Sequence, residues 1–181
     1  MFENLLFQNH ALEQLVSLAK EKKVPPALLF VGPAGSGKLT AALECARVLS
    51  CEKEGEWNCQ CIQCNCHRNL MHPDLLLFGP REFPQETVVT GEYLIRKPNL
   101  TSYYAFARSI RKLLKRFDSV LWQGEEARLS KAIQSIETCE EMLQEILELV
   151  LKEKNHGLSE LVDSAVNAAA GLEYLVPDGI P

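Results

Sequence analysis

The sequence predicts an α/β fold with a P-loop-type parallel-sheet core, and three observations carry that expectation. Ala27-Leu28-Leu29-Phe30-Val31 is a short, wholly apolar run, the pattern of a strand covered on both faces. Gly32-Pro33-Ala34-Gly35-Ser36-Gly37-Lys38 follows directly, and Leu39, Ala42, Leu43, Ala46 and Leu49 then recur at helical spacing. Strand, glycine-rich turn and helix in that order are the context a phosphate-binding P-loop needs. Leu75-Leu76-Leu77-Phe78, after the turn His72-Pro73-Asp74, reads as a second buried strand.

The remaining elements follow from periodicity. Leu5, Leu12, Leu15, Val16 and Ala19 predict an amphipathic helix over residues 5–20, ended by Val24-Pro25-Pro26 because proline cannot continue the ladder. Residues 51–66 are charged and aperiodic. Residues 79–100 read as irregular, with Pro84 and Pro98 as breakers. From Thr101 an apolar seam runs through Tyr103, Phe106, Ile110, Leu113, Phe117 and Val120. A second runs through Leu129, Ile133, Ile136, Leu143, Leu147 and Val150, interrupted by Glu140. Gln123-Gly124-Glu125 between them predicts an antiparallel helical hairpin over about 101–154, its second arm about 40 Å long. Leu158 to Ala170 reads as a further helix.

Bulk properties exclude several classes. The chain has 181 residues and a formal net charge of −5, which speaks against wholesale coating of nucleic acid. It lacks an apolar run of about 18 residues, and its first residues lack a signal-peptide pattern, so no membrane association is expected and the location is read as cytoplasmic.

The P-loop supplies the first candidate site: Gly32, Pro33, Gly35, Ser36, Gly37, Lys38, Leu39 and Thr40. Glycines let backbone N–H groups turn toward phosphates, the helix N-terminus adds partial positive charge, and Lys38 would reach the β- and γ-phosphates. The full pattern places Ser or Thr after the lysine to ligate magnesium, but Leu39 stands there. Thr40 lies about 100° further round the helix. ATP or ADP binding is expected, with magnesium-dependent hydrolysis disfavoured.

The second candidate is a metal site. Of the seven cysteines, Cys51, Cys59, Cys61, Cys64 and Cys66 fall within sixteen residues, whereas Cys45 and Cys139 read as small buried residues. In a reducing compartment such a cluster points to metal rather than disulfides. Cys61-Ile62-Gln63-Cys64 has the spacing of a zinc turn, and Cys51 and Cys59 complete a four-sulfur set, with Cys66 or His67 as alternatives for the fourth ligand. Such a closed site is structural.

Other candidates read more plainly as structure. Arg108, Arg111, Lys112, Lys115 and Arg116 share a helical side that could track DNA phosphates, but acidic residues of the second arm (Glu137, Glu140, Glu141, Glu145 and Glu148) offer an electrostatic match. His72-Pro73-Asp74 reads as a turn rather than an acid–base pair.

The order of the motifs adds a resemblance. An initial helix, Pro-Ala-Leu-Leu-Phe-Val-Gly-Pro-Ala-Gly-Ser-Gly-Lys, Ala-Leu-Glu-Cys-Ala-Arg-Val-Leu-Ser-Cys, the cysteine cluster and His-Pro-Asp together resemble the bacterial DNA polymerase III clamp-loader subunits, delta-prime and gamma/tau, over residues 1–78. The resemblance implies an AAA+ core with an inserted zinc module at 51–66, whose cysteines match Cys51, Cys59, Cys61 and Cys64, although the gap from Cys59 to Cys61 is one residue shorter than the family's. It implies work within the polymerase III holoenzyme, with other clamp-loader subunits, the sliding clamp and primer-template DNA as partners. Leu39 and His72-Pro73-Asp74 resemble delta-prime, a stator with weak or absent ATPase activity. The alternatives are an active gamma/tau-type ATPase and a small P-loop nucleoside or nucleotide kinase. Residues 79–171 then read as a mostly helical insertion and 172–181 as the start of a return to the core, cut short at Pro181, so that a fragment is expected.

Overall fold

The structure, a computed structural model, describes residues 1–77, 84–154, 156–173 and 175. The chain divides into two units, Met1–Leu75 and Leu76–Pro181.

The first unit holds α1 (Asn9–Lys20), α2 (Lys38–Ser50) and the short α3 (Ile62–Arg68). Its apolar cluster joins Phe2 and Leu5, both upstream of the first helix, to Leu15, Cys45 and Val48. α1 stops before the prolines. Lys22 takes a left-handed φ of 54°, its N–H reaches Ala19 O at 3.2 Å, and Lys23 N–H reaches Leu18 O at 3.0 Å, a Schellman ending that satisfies the last carbonyls.

The α/β expectation is wrong for the described residues: every regular element is helical, and there is no strand or sheet among them. Residues 27–31 are irregular, with Leu29 88% and Val31 83% exposed. Leu75–Leu77 are irregular as well, and Phe78 lies outside the described residues. A strand exists only through the ladder that pairs its N–H and C=O groups with a neighbour. An apolar run identifies what such a segment would bury and supplies no partner.

The second unit packs four helices, α4 (Pro84–Arg96), α5 (Leu100–Leu114), α6 (Glu126–Leu151) and α7 (Leu158–Glu173). α6 lies against α5 and α7, and α4 against α5 and α7. Leu94, Phe106, Ile110, Leu143, Ile146 and Val162 are buried at the centre. α4 corrects the irregular reading of 79–100. Pro84 occupies the first helical position, where its missing N–H costs nothing. α5 opens with a capping box: Asn99 Oδ1 accepts from Ser102 N at 3.0 Å, and Ser102 Oγ accepts from Asn99 N at 3.2 Å. Between α5 and α6, two 3₁₀ turns (Lys115–Phe117 and Ser119–Trp122) bury Trp122, which stacks on Phe117 and donates to Arg116 O at 2.7 Å. Val120 and Ile133, expected in the seam, are about half exposed.

Candidate functional site

The four thiols converge. Cys51 follows the last residue of α2, Cys59 lies in the loop, Cys61 caps the N-terminus of α3 and Cys64 lies in its first turn. Their Sγ atoms all fall within 4.8 Å of one another, with Cys51 and Cys59 at 3.7 Å. Four sulfurs about 2.3 Å from a tetrahedral zinc are separated by about 3.8 Å, so the set fits zinc with sub-ångström adjustment. Cys59, Cys61 and Cys64 are buried, and Cys66 is outside the group. Cys51, Cys59, Cys61 and Cys64 can hold a zinc ion.

Backbone donors prepare this site for negative charge. Cys51 Sγ accepts from Lys53 N at 3.4 Å and Gly55 N at 3.3 Å, and Cys61 Sγ accepts from Cys64 N at 3.4 Å. Burial opposes the Cys61 thiolate, but N–H donation from Cys64 and Glu52 outweighs it and brings the thiol down to about 6. Burial, reinforced by the thiols of Cys51 and Cys61, pushes Cys64 the other way, against the pull of Arg47. One thiolate forms readily and its neighbour resists until a cation compensates the charge.

Three residues that the sequence reading passed over frame the site. Arg47, on the last turn of α2, donates Nη1 to Cys64 Sγ at 3.0 Å. Arg68, at the end of α3, donates to the carbonyls of Trp57 and Cys59 and to Asn65 Oδ1. Trp57 has a guanidinium on either account, Arg47 at 5.5 Å and Arg68 at 5.4 Å from the ring centroid. A single arginine in an amphipathic helix ordinarily reads as solvated, so only its position four residues before Cys51 could have flagged Arg47.

In the glycine-rich loop, Gly35 and Gly37 take φ of 76° and 81°, values that favour glycine, and Gly37 is the N-cap of α2. A Cβ on Gly32 would come within 2.9 Å of Ser36 Oγ. Lys38 Nζ donates to the loop's own carbonyls, Gly32 O at 2.9 Å and Pro33 O at 2.6 Å. Leu39 is half-buried on α2, whereas Thr40 faces solvent. A cleft of about 260 Å³ adjoins the loop, lined by Leu5, Leu15, Leu18, Phe30, Gly37 and Lys38 among others.

His72 is part of a turn, not of an acid–base pair with Asp74. Its Nδ1 accepts from Asp74 N at 3.1 Å, which leaves the proton on Nε2 to donate to Gln63 Oε1 at 2.8 Å. Its ring stacks on His67 at 4.1 Å. On the basic side of α5, Arg111 pairs with Glu140 and Lys112 with Glu86, both within the same unit, and Arg108, Lys115 and Arg116 are not free either.

Fold and site together define a helical protein with a four-cysteine cluster able to hold a metal, placed after the helix that follows a glycine–lysine loop. The family model described as DNA polymerase III, delta subunit matches residues 7–152, and the chain belongs to that family, of the clamp-loader type. No curated protein and no solved structure matches it. No helix among the described residues is long and apolar enough to cross a membrane.

Proposed function

We propose that this chain acts as a delta-prime-like subunit of the DNA polymerase III clamp loader, a cytoplasmic assembly that places the sliding clamp on primed DNA. In this reading the P-loop is non-hydrolysing. The observation that carries it is Leu39, an apolar side chain at the position where magnesium needs a hydroxyl. ATP or ADP would be held by Gly35, Gly37 and Lys38 as a structural ligand, without a resident magnesium. Zinc on Cys51, Cys59, Cys61 and Cys64 would fix a loop too poor in apolar residues to hold its shape. Other clamp-loader subunits are the direct partners, and the clamp and primer-template DNA are met through the assembled complex.

Reconstitution with the polymerase III subunits of the same cell tests the reading. The full-length protein is expected to join the complex and to be needed for clamp loading. Lys38→Ala is expected to leave the ATP hydrolysis of the complex unchanged. A tenfold fall with Lys38→Ala would make this a motor subunit of the gamma/tau type, and failure to associate would remove the clamp-loader role.

A further inference from the structure

Arg47 is only 1% exposed. A buried guanidinium carries five N–H donors, and each one left without an acceptor is costly. Here five hydrogen bonds match the five donors. Nε and Nη2 meet the two carboxylate oxygens of Glu44 at 2.9 and 2.6 Å. Nη2 also reaches Gly55 O at 2.7 Å, and Nη1 reaches Glu56 O at 3.0 Å and Cys64 Sγ at 3.0 Å. Positions 44 and 47 share a face of α2, so the carboxylate is placed by the helix itself. Gly55, at φ 71°, turns the loop so that two successive carbonyls face the guanidinium.

We propose that Arg47 is the positioning residue of the metal centre, orienting Cys64 as a ligand and fastening the cysteine loop to α2. Glu44 balances its charge, so the pair brings a fixed N–H donor to the sulfur at little net charge. Four thiolates around a divalent ion carry a net charge of about −2. The donors found on these sulfurs from Lys53, Gly55 and Cys64 belong to the cysteine segment's own backbone. Arg47 is a side-chain donor from outside that segment. Lysine cannot replace it, because a single ammonium cannot serve acceptors spread over a helix, two carbonyls and a sulfur.

Full-length protein carrying Arg47→Lys, Arg47→Met or Glu44→Gln tests this. The readouts are zinc affinity by chelator competition, the sulfur-to-metal charge-transfer bands of the cobalt(II)-substituted protein, and the alkylation rate of the zinc-bound thiolates. Arg47→Lys and Arg47→Met are each expected to lower zinc affinity by about 10- to 100-fold, shift the cobalt bands and speed alkylation. Glu44→Gln, which keeps the guanidinium but loosens its anchor, is expected to give a smaller fall in the same direction. Wild-type affinity, bands and alkylation rate in a helical Arg47→Lys protein would overturn the proposal and leave Arg47 as a brace only. Should both Arg47 variants fail to fold, wild-type behaviour of Glu44→Gln overturns it equally.

Discussion

Arg111 grips the carboxylate of Glu140 from α5 to α6, Nε to Oε1 at 3.1 Å and Nη2 to Oε2 at 2.9 Å. This is the bidentate fork that an arginine makes and a lysine does not. Glu140 is the residue that interrupts the apolar seam of α6, between Ile136 and Leu143. The interruption is therefore a specific link between the two helices, available in one register only.

That link yields the first prediction. The Arg111 side chain is 11% exposed and that of Glu140 40%, so losing the carboxylate removes the counter-charge of a largely buried guanidinium. Glu140→Ala is expected to destabilise the helical unit by about 1–3 kcal/mol. Replacing both partners, Arg111→Met with Glu140→Leu, is expected to recover most of that, since no charge is then left buried. A double-mutant cycle by denaturant unfolding measures the coupling. A change under about 0.5 kcal/mol for Glu140→Ala would make the pair an ordinary surface contact.

Two glycines in helices of that unit are expected to respond oppositely to alanine. A Cβ on Gly91 of α4 would meet Val162 Cγ1 at 3.0 Å and Phe106 Cε2 at 3.3 Å. Overpacking of about 1–3 kcal/mol there exceeds the helix-propensity gain of about 0.5–1 kcal/mol, so Gly91→Ala is expected to lower the melting temperature. A Cβ on Gly171 of α7 meets nothing within 4 Å among the described residues. Gly171→Ala keeps the whole gain and is expected to raise it. Both values come from thermal unfolding, and a rise for Gly91→Ala would show that α4 is less closely packed than the distances state.

The helices were legible where a long apolar period was present: α2, α6 and α7 lie within three residues of the expected limits. α4 was not, because Pro84 was weighed as a breaker when it stands at a helix start. The strands at 27–31 and at 75–77, the described part of the second run, were misread because apolar character speaks of burial, whereas a strand depends on a partner that local sequence does not contain. The cysteine cluster could be read from its spacing, which left Cys66 and His67 open as alternatives for the fourth ligand; the fold brings Cys59 to the group. Arg47 and Arg68 could not, since their value comes from carbonyls that only the folded loop brings to them.

The glycine–lysine loop makes its own prediction through Leu39. With no hydroxyl after Lys38, nucleotide affinity of the wild-type protein is expected to be the same with magnesium and with a chelator. Leu39→Thr restores the ligand that the full pattern has at that place. Its nucleotide affinity is expected to become magnesium-dependent, by about tenfold, or about 1.4 kcal/mol. Titration calorimetry with ATP in both conditions measures this. Strong magnesium dependence in the wild type would mean that another residue supplies the ligand and that Leu39 does not mark a silent site.

The four-cysteine cluster, read as a zinc site, predicts both a ligand set and a direction with pH. Serine at Cys51, Cys59, Cys61 or Cys64 is expected to abolish stoichiometric zinc, while Cys66→Ser, outside the converging group, is expected to keep one zinc per chain. Zinc takes thiolates, so every thiol still protonated must release its proton on binding. Cys61, held down to about 6, is already largely ionised at neutral pH and releases little. Cys64, pushed up chiefly by burial, is protonated there and releases a full proton. Each released proton raises the apparent affinity about tenfold per pH unit. Affinity is therefore expected to climb by at least that factor per unit from pH 7 to 8, and more steeply below about pH 6, where Cys61 is protonated as well. Chelator competition across this range checks the slope, and an affinity independent of pH would mean that zinc binds without proton release and would overturn this expectation.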